Sequence, residues 1–372
     1  MWKHGTIEDV LSMIQNGVNC TQDKSGKGHK ITRIETIADA NINYGKTGFS
    51  ELDEKQKIKA ALVKGDILFS HINSPIHVGK TAIYNGNEPL YHGINLLRLR
   101  TIEEVDSSYF NRFLISLFWS GYWKRTAKQS VNQASVNQTD IKQILFSYPP
   151  LAEQQRIVAK LDAAFAEIDS AIFANACNIT KANEIFSQYL SNVEADYLPL
   201  EKLINIKTGK LDSNAMVENG EFPFFTCSRE IYSIDKFAFE CDAVLLAGNN
   251  ASGDFNVKHY EGKFNAYQRT YVLTVVDSNS LRSRYLYFQL INALSKFKRM
   301  SVGAGTKFLK IGMIRSLEIP LPPIIAQDKI LEKLEKLLKL SEELHTAYNG
   351  KARQLSSLKS AILAQELKGE TA

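Results

Sequence analysis

Residues 149–158 read PPLAEQQRIV, and residues 322–331 read PPIIAQDKIL. A proline pair stops the element before it. It also suits the first turn of a helix, where its missing N–H has no intrahelical partner. Five of the nine prolines sit at or beside these two places. A long proline-free stretch follows each pair. In the first, Ile157, Leu161, Phe165, Ile168, Ile172, Ala176, Ile179, Ala182, Phe186, Leu190 and Val193 recur at steps of three or four. In the second, Ile330, Leu334, Leu337, Ser341, Leu344, Tyr348, Ala352, Leu355, Leu358 and Ile362 do the same. This spacing predicts a narrow coiled-coil seam rather than a broad globular face. Each helix approaches roughly 45 residues, against an ordinary mean of about 11–12. Two such seams in one chain predict that the helices pack on each other. Asn349-Gly350 predicts a kink or a local break in the second.

Working outward, the two proline sites superpose at an offset of 173 residues. At that offset Gln154 meets Gln327, Ile157 meets Ile330, Lys160 meets Lys333 and Leu161 meets Leu334. Upstream, Ile141 meets Ile314 and Ile144 meets Leu317. Further upstream the offset becomes 176. Gly65-Asp66-Ile67-Leu68 then faces Cys241-Asp242-Ala243-Val244, and Tyr109 faces Tyr285. The chain therefore reads as a duplication of module followed by helix. The expected segments are a module at 1–148, a helix at 149–196, a module at 197–321 and a helix at 322–372. Strand-like runs 66–70, 94–99, 243–246 and 270–275, with helical patches at 109–123 and 285–297, make each module α+β.

Composition narrows the function. The 372 residues carry 45 basic and 40 acidic side chains, a net charge of +5. That excludes a polybasic tail protein but allows a basic patch. Cys20, Cys177, Cys227 and Cys241 show no short paired spacing, which disfavours a disulfide scaffold or a zinc module and favours a reducing compartment. No apolar run reaches the ~18 residues of a membrane span. Met1-Trp2-Lys3-His4-Gly5 has no apolar h-region, and no signal peptide is expected. The expected location is cytoplasmic.

The proline–helix motifs resemble those of the DNA-specificity subunits of type I restriction–modification systems. The family pattern is Pro-Pro, a Gln near the helix start, then an Ile three residues on. The ending SAILAQELKGE (residues 360–370) and the Gly65-Asp66 strand start fit it as well. The second copy departs at Ala326 and Cys241, which stand where the first has Glu153 and Gly65. The resemblance implies two target-recognition domains, each reading half of a bipartite double-stranded DNA target. It implies long helices packed as an antiparallel coiled coil that sets the spacing. It further implies two docked methyltransferase subunits, joined by endonuclease/translocase subunits. S-adenosylmethionine, Mg and ATP would belong to those partners, and this chain would hold no cofactor and do no catalysis. The rival reading is a coiled-coil scaffold with two protein-binding domains and no DNA.

The residues themselves carry no catalytic signature. An adenine methyltransferase needs Asn/Asp-Pro-Pro-aromatic; the nearest match, Asn73-Ser74-Pro75-Ile76, lacks the second proline and the aromatic. Gly45-Lys46-Thr47 and Gly79-Lys80-Thr81 have Ala40 and Ser74 where a phosphate loop needs its first glycine. Gly303-Ala304-Gly305 lacks the third glycine of a dinucleotide site. His71 and His77 near Asp66 read as loop histidines, with no metal expected.

Basic and amide residues point instead to nucleic acid. Cations release counterions from phosphates, and Asn or Gln can pair with adenine bidentately. The candidates before the first helix are Lys124, Arg125, Lys128, Gln129, Asn132 and Gln133. Before the second they are Lys298, Arg299 and Lys307, within residues 296–310, which hold five cations and no acid. Loop candidates are His71, Asn73 and Lys80 in the first module, and Asn249, Asn250, Lys258, Gln268 and Arg269 in the second. The bland alternative for all of them is a solvated connector.

Overall fold

A computed structural model describes residues 1–24, 26–38, 40–131 and 133–368, with only the backbone described at residue 183. The chain divides into two compact units, Met1–Asn175 with Gly350–Ala372, and Ala176–Asn349. These do not coincide with the four sequence segments, because each unit takes part of both long helices.

In the first unit the core sheet is antiparallel, in the order Leu11–Asn16, Leu97–Thr101, Ile67–Phe69, Thr81–Ile83. Central strand residues Ile67, Leu68, Phe69, Leu97 and Leu99 are wholly buried, as a strand covered on both faces requires. Lys3–Thr6 pairs with Leu145–Tyr148 and closes the module on itself. Residues 94–96 form a turn rather than the expected start of a strand, and the strand runs on to Thr101. The helical patch is Ser107–Trp119, followed by Tyr122–Thr126. Gly121 at φ +73° divides them, a conformation glycine adopts without strain. Between the first two core strands in sequence lies an insertion, with the ladder His29–Ile31/Gly48–Ser50 and the helix Glu54–Ala60.

The second unit repeats this plan. Its sheet runs Ile204–Thr208, Thr270–Val275, Phe239–Ala247, Val257–Ala266, Phe222–Phe225, Tyr232–Ile234. The first four strands occupy the order of the first unit's four. Tyr197–Pro199 pairs with Glu318–Pro320 as the closing ladder. The helical patch is one unbroken element, Ser283–Met300.

The proline-started helices are Leu151–Ser191 and Ile324–Glu366. Within the first unit Lys160 bonds Glu366 and Lys359 bonds Asp169, so the helices run antiparallel there. Within the second unit Asn178 reaches Tyr348, and Lys333 lies over the Tyr189 ring, giving the same sense. Ile157, Leu161, Phe165, Ile168, Leu190 and Leu334 are buried; the first three join the core of the first module, and Leu190 and Leu334 pack with Phe288 of the second. Asn175, not Ala176, is buried at mid-helix. Leu358 is 48% exposed while Leu363 is fully buried. The Lys359 ammonium, over the Phe165 ring at 4.7 Å, takes the seam position there. The helix runs unbroken through Asn349-Gly350. Gly369 and Glu370, the end of the family-like C-terminal motif, lie outside the described residues.

Candidate nucleic-acid interface

Strand pairing assembles the candidates that the sequence left scattered. In the first unit Lys128–Ser130 and Gln133–Ser135 form a hairpin that pairs with Ile72–Asn73. Gln129, Ala134 and Asn73 therefore stand in one row across three strands. Lys128, Gln129 and Gln133 are exposed on this ladder, and Lys124 and Arg125 are exposed on the short helix leading into it. Two of the group spend a donor on nearby backbone. The Arg125 guanidinium donates to the Ser120 carbonyl at 2.8 Å, and Gln129 Nε2 to the Lys124 carbonyl at 3.0 Å. Asn132 lies outside the described residues.

The second unit builds the same row. Asn249 stands opposite Phe308, and Phe308 bridges to Val302. Asn73 and Asn249 thus hold one structural position, 176 residues apart. Asn250 Oδ1 accepts from the Ser252 and Asp254 amides at 2.9 and 3.0 Å, which ties the turn. Gly253, at φ +73°, packs against the stems of Lys298 and Lys307; an added Cβ would lie 3.3 and 3.4 Å from their Cγ atoms. The Arg269 guanidinium stacks on the Phe308 ring at 5.3 Å, which brings it beside the row. Arg299 and Gln268 are exposed nearby in sequence, one at the end of the helix and one beside Arg269.

Three candidates are engaged within the fold. His71 is 8% exposed, and its Nε2 lies 3.3 Å from Asn16 Nδ2, while Asn16 Oδ1 accepts from Gln138. Burial lowers its pKa and keeps the ring neutral. The ring is thus buried against Asn16 rather than presented on the ladder. The Lys80 ammonium donates to the Ala38 carbonyl at 2.6 Å. Lys258 donates to the Ser228 carbonyl and Asn256 Oδ1, and burial brings its pKa down to about 8.

Beside the first row lies a polar cleft of about 660 Å³, where Asn19, Gln22 and Arg33 of the insertion face Asn73, Lys80 and Asn95. Sequence reading passed over Asn19, Gln22, Arg33 and Asn95. The only available signal was the longer spacing between core strands in the first copy. Among the described residues no cluster of His, Cys, Asp or Glu could hold a metal, and no helix is long and apolar enough to cross a membrane.

The model of the type I restriction modification DNA specificity domain matches twice, over residues 1–174 and 192–351. The chain belongs to the type I restriction–modification DNA-specificity family. Its role is that of a DNA sequence-specificity subunit with two recognition domains. One relative in this specificity family, named as the MjaX type I restriction enzyme specificity subunit of Methanocaldococcus jannaschii, is 30% identical over 92% of this chain and 88% of its own length. The Escherichia coli EcoDI specificity subunit is 37% identical over 46% of this chain and 37% of its own. A solved chain from work on complex assembly and conformational transition of the type I system has a TM-score of 0.72 at 17% identity, over 99% of this chain and 98% of that one. That likeness is one of fold. The DNA-free scaffold reading is not favoured beside membership of a specificity family.

Proposed function

We propose that the chain reads a bipartite double-stranded DNA target, one half with each unit. The observation that carries this is the duplicated row, an asparagine at the same ladder position in both units with cations and amides beside it. Asparagine supplies base-edge pairing, and the lysines and arginines supply phosphate contact. The helices act as the spacer between half-sites and the platform for two methyltransferase subunits, which endonuclease/translocase subunits join. S-adenosylmethionine, Mg²⁺ and ATP belong to those partners, and this chain contributes recognition without bond chemistry. Its place is the prokaryotic cytoplasm, at the nucleoid.

Salt titration of DNA affinity tests the reading on the full chain with its methyltransferase partner. Affinity should fall steeply with salt. Lys298→Ala and Lys307→Ala should each flatten the log–log slope by about 0.9 and weaken all sequences alike. Asn249→Ala should instead cost about 1–3 kcal/mol at one half-site only. No DNA binding by the assembled complex would return the scaffold reading to favour.

A further inference from the structure

The first turns of the two long helices carry one side chain that is placed identically in both copies. Gln154 and Gln327 are both fully buried. Gln154 Oε1 accepts from the Asp106 amide at 2.8 Å, and its Nε2 donates to the carbonyls of Glu104 at 3.0 Å and Pro149 at 2.8 Å. Gln327 Oε1 accepts from the Arg282 amide at 2.9 Å, and its Nε2 donates to the carbonyls of Ser280 at 2.8 Å and Pro322 at 2.9 Å. Asp106 and Arg282 are the N-cap positions of the recognition modules' own helices. A second tie repeats as well. The Tyr109 hydroxyl reaches the Ser147 carbonyl and the Tyr285 hydroxyl the Pro320 carbonyl, both in the closing strand just before the proline pair.

These amides do not cap the long helices. They join the helix start to the backbone of the module, and every partner is a main-chain atom. An amide that makes three buried bonds to two separate segments allows those segments no rotation without leaving a buried polar group unmade. The ion pairs around the joint differ between copies. Arg112 pairs with Asp162 in the first, whereas Arg282 pairs with Asp328 and Arg284 with Glu335 in the second. The helix acid recurs at the shared offset as Asp162 and Glu335, its arginine comes from a different turn of the module helix, and Gln155 stands where the second copy has Asp328; the glutamine joint is common to both in every bond.

We infer that Gln154 and Gln327 are positioning residues that fix the angle of each recognition module on its helix, and thereby the spacer accepted between half-sites. This rests on the bipartite reading proposed above. It assigns the glutamines no base contact, so half-site sequence should not depend on them.

The test uses the full chain assembled with its methyltransferase partner and a set of duplexes with constant half-sites and spacers one or two base pairs longer or shorter. Gln154→Met keeps length and volume while removing the donors and the acceptor. It should reduce discrimination among spacers by about ten-fold and leave base preference in both half-sites unchanged. Gln327→Met should do the same independently, so a folding failure in one variant leaves the other to decide. Gln154→Glu adds a further readout. Its protonated form regains one donor, so spacer selection should sharpen as pH falls. Lower affinity with spacer selection unchanged would make the glutamines merely structural and overturn the inference. A wild-type complex that selects no bipartite target would overturn the underlying reading as well, and is distinguished by failing before any substitution is made.

Discussion

Asp66 and Asp242 occupy equivalent sequence positions, one just before a core strand and the other within one, and serve different ends. Asp66 is fully buried; it accepts both prongs of Arg100, at 2.7 and 2.9 Å, and the Val63 amide at 2.9 Å. Arg98, itself buried, lies 3.8 Å away and donates to the carbonyls of Lys59 and Ala61 at the end of the insertion's helix. Asp242 pairs with His259 near the surface, at 2.7 Å. Removing Asp66 strands two cations, one of them buried. Asp66→Ala should therefore cost about 3–5 kcal/mol in urea unfolding, while Asp242→Ala should cost well under about 1 kcal/mol. Equal effects would show that the Asp66 network is not what anchors the insertion. Both aspartates were legible as equivalent in the sequence, but their unequal burial was not, because the arginines lie over thirty residues away along the chain. The same holds for Gln154 and Gln327. Their shared offset was visible, and the sequence placed them only near the helix start. Their partners are backbone atoms about fifty residues upstream, which no side-chain pattern records.

Element by element, the helices were read most fully. Proline starts, apolar steps and extent all follow from local chemistry. The expected break at Asn349-Gly350 does not occur, because tertiary contacts along a long helix override one weak residue. Gly350 lies inside the helix, and an added Cβ would meet nothing within 4 Å. Gly350→Ala should thus stabilise the chain by about 0.5–1 kcal/mol, read as a raised urea midpoint at constant slope. A lowered midpoint would mean that the glycine is needed for a close approach. The short ladders were beyond sequence reading. Asn73 and Asn249 looked like separate loop residues, since strands of two residues carry no periodicity. The 176-residue offset aligns them, but only pairing with residues 134 and 308 shows them as one position on a ladder. The cleft behind Asn73 was hidden for a related reason, since an insertion's length is visible but the face it presents is not.

For the whole molecule, the duplication has a consequence for recognition. The core sheet, closing ladder, glutamine joint and asparagine row recur, while the surroundings of the row do not. The first unit adds the insertion cleft with Asn19, Gln22 and Arg33, and the second adds Arg269 on Phe308 beside Lys298 and Lys307. A common frame with different surroundings of the row fits the proposal of two half-sites of different sequence, each set by its own unit. The closing ladders mark where a module can be exchanged without cutting a sheet. The most direct measurement is modified-base mapping of genomic DNA in cells whose complete system carries residues 1–148 from another family member. One half-site should change while the other half-site stays as it was. A change in both half-sites, or in neither, would contradict the account.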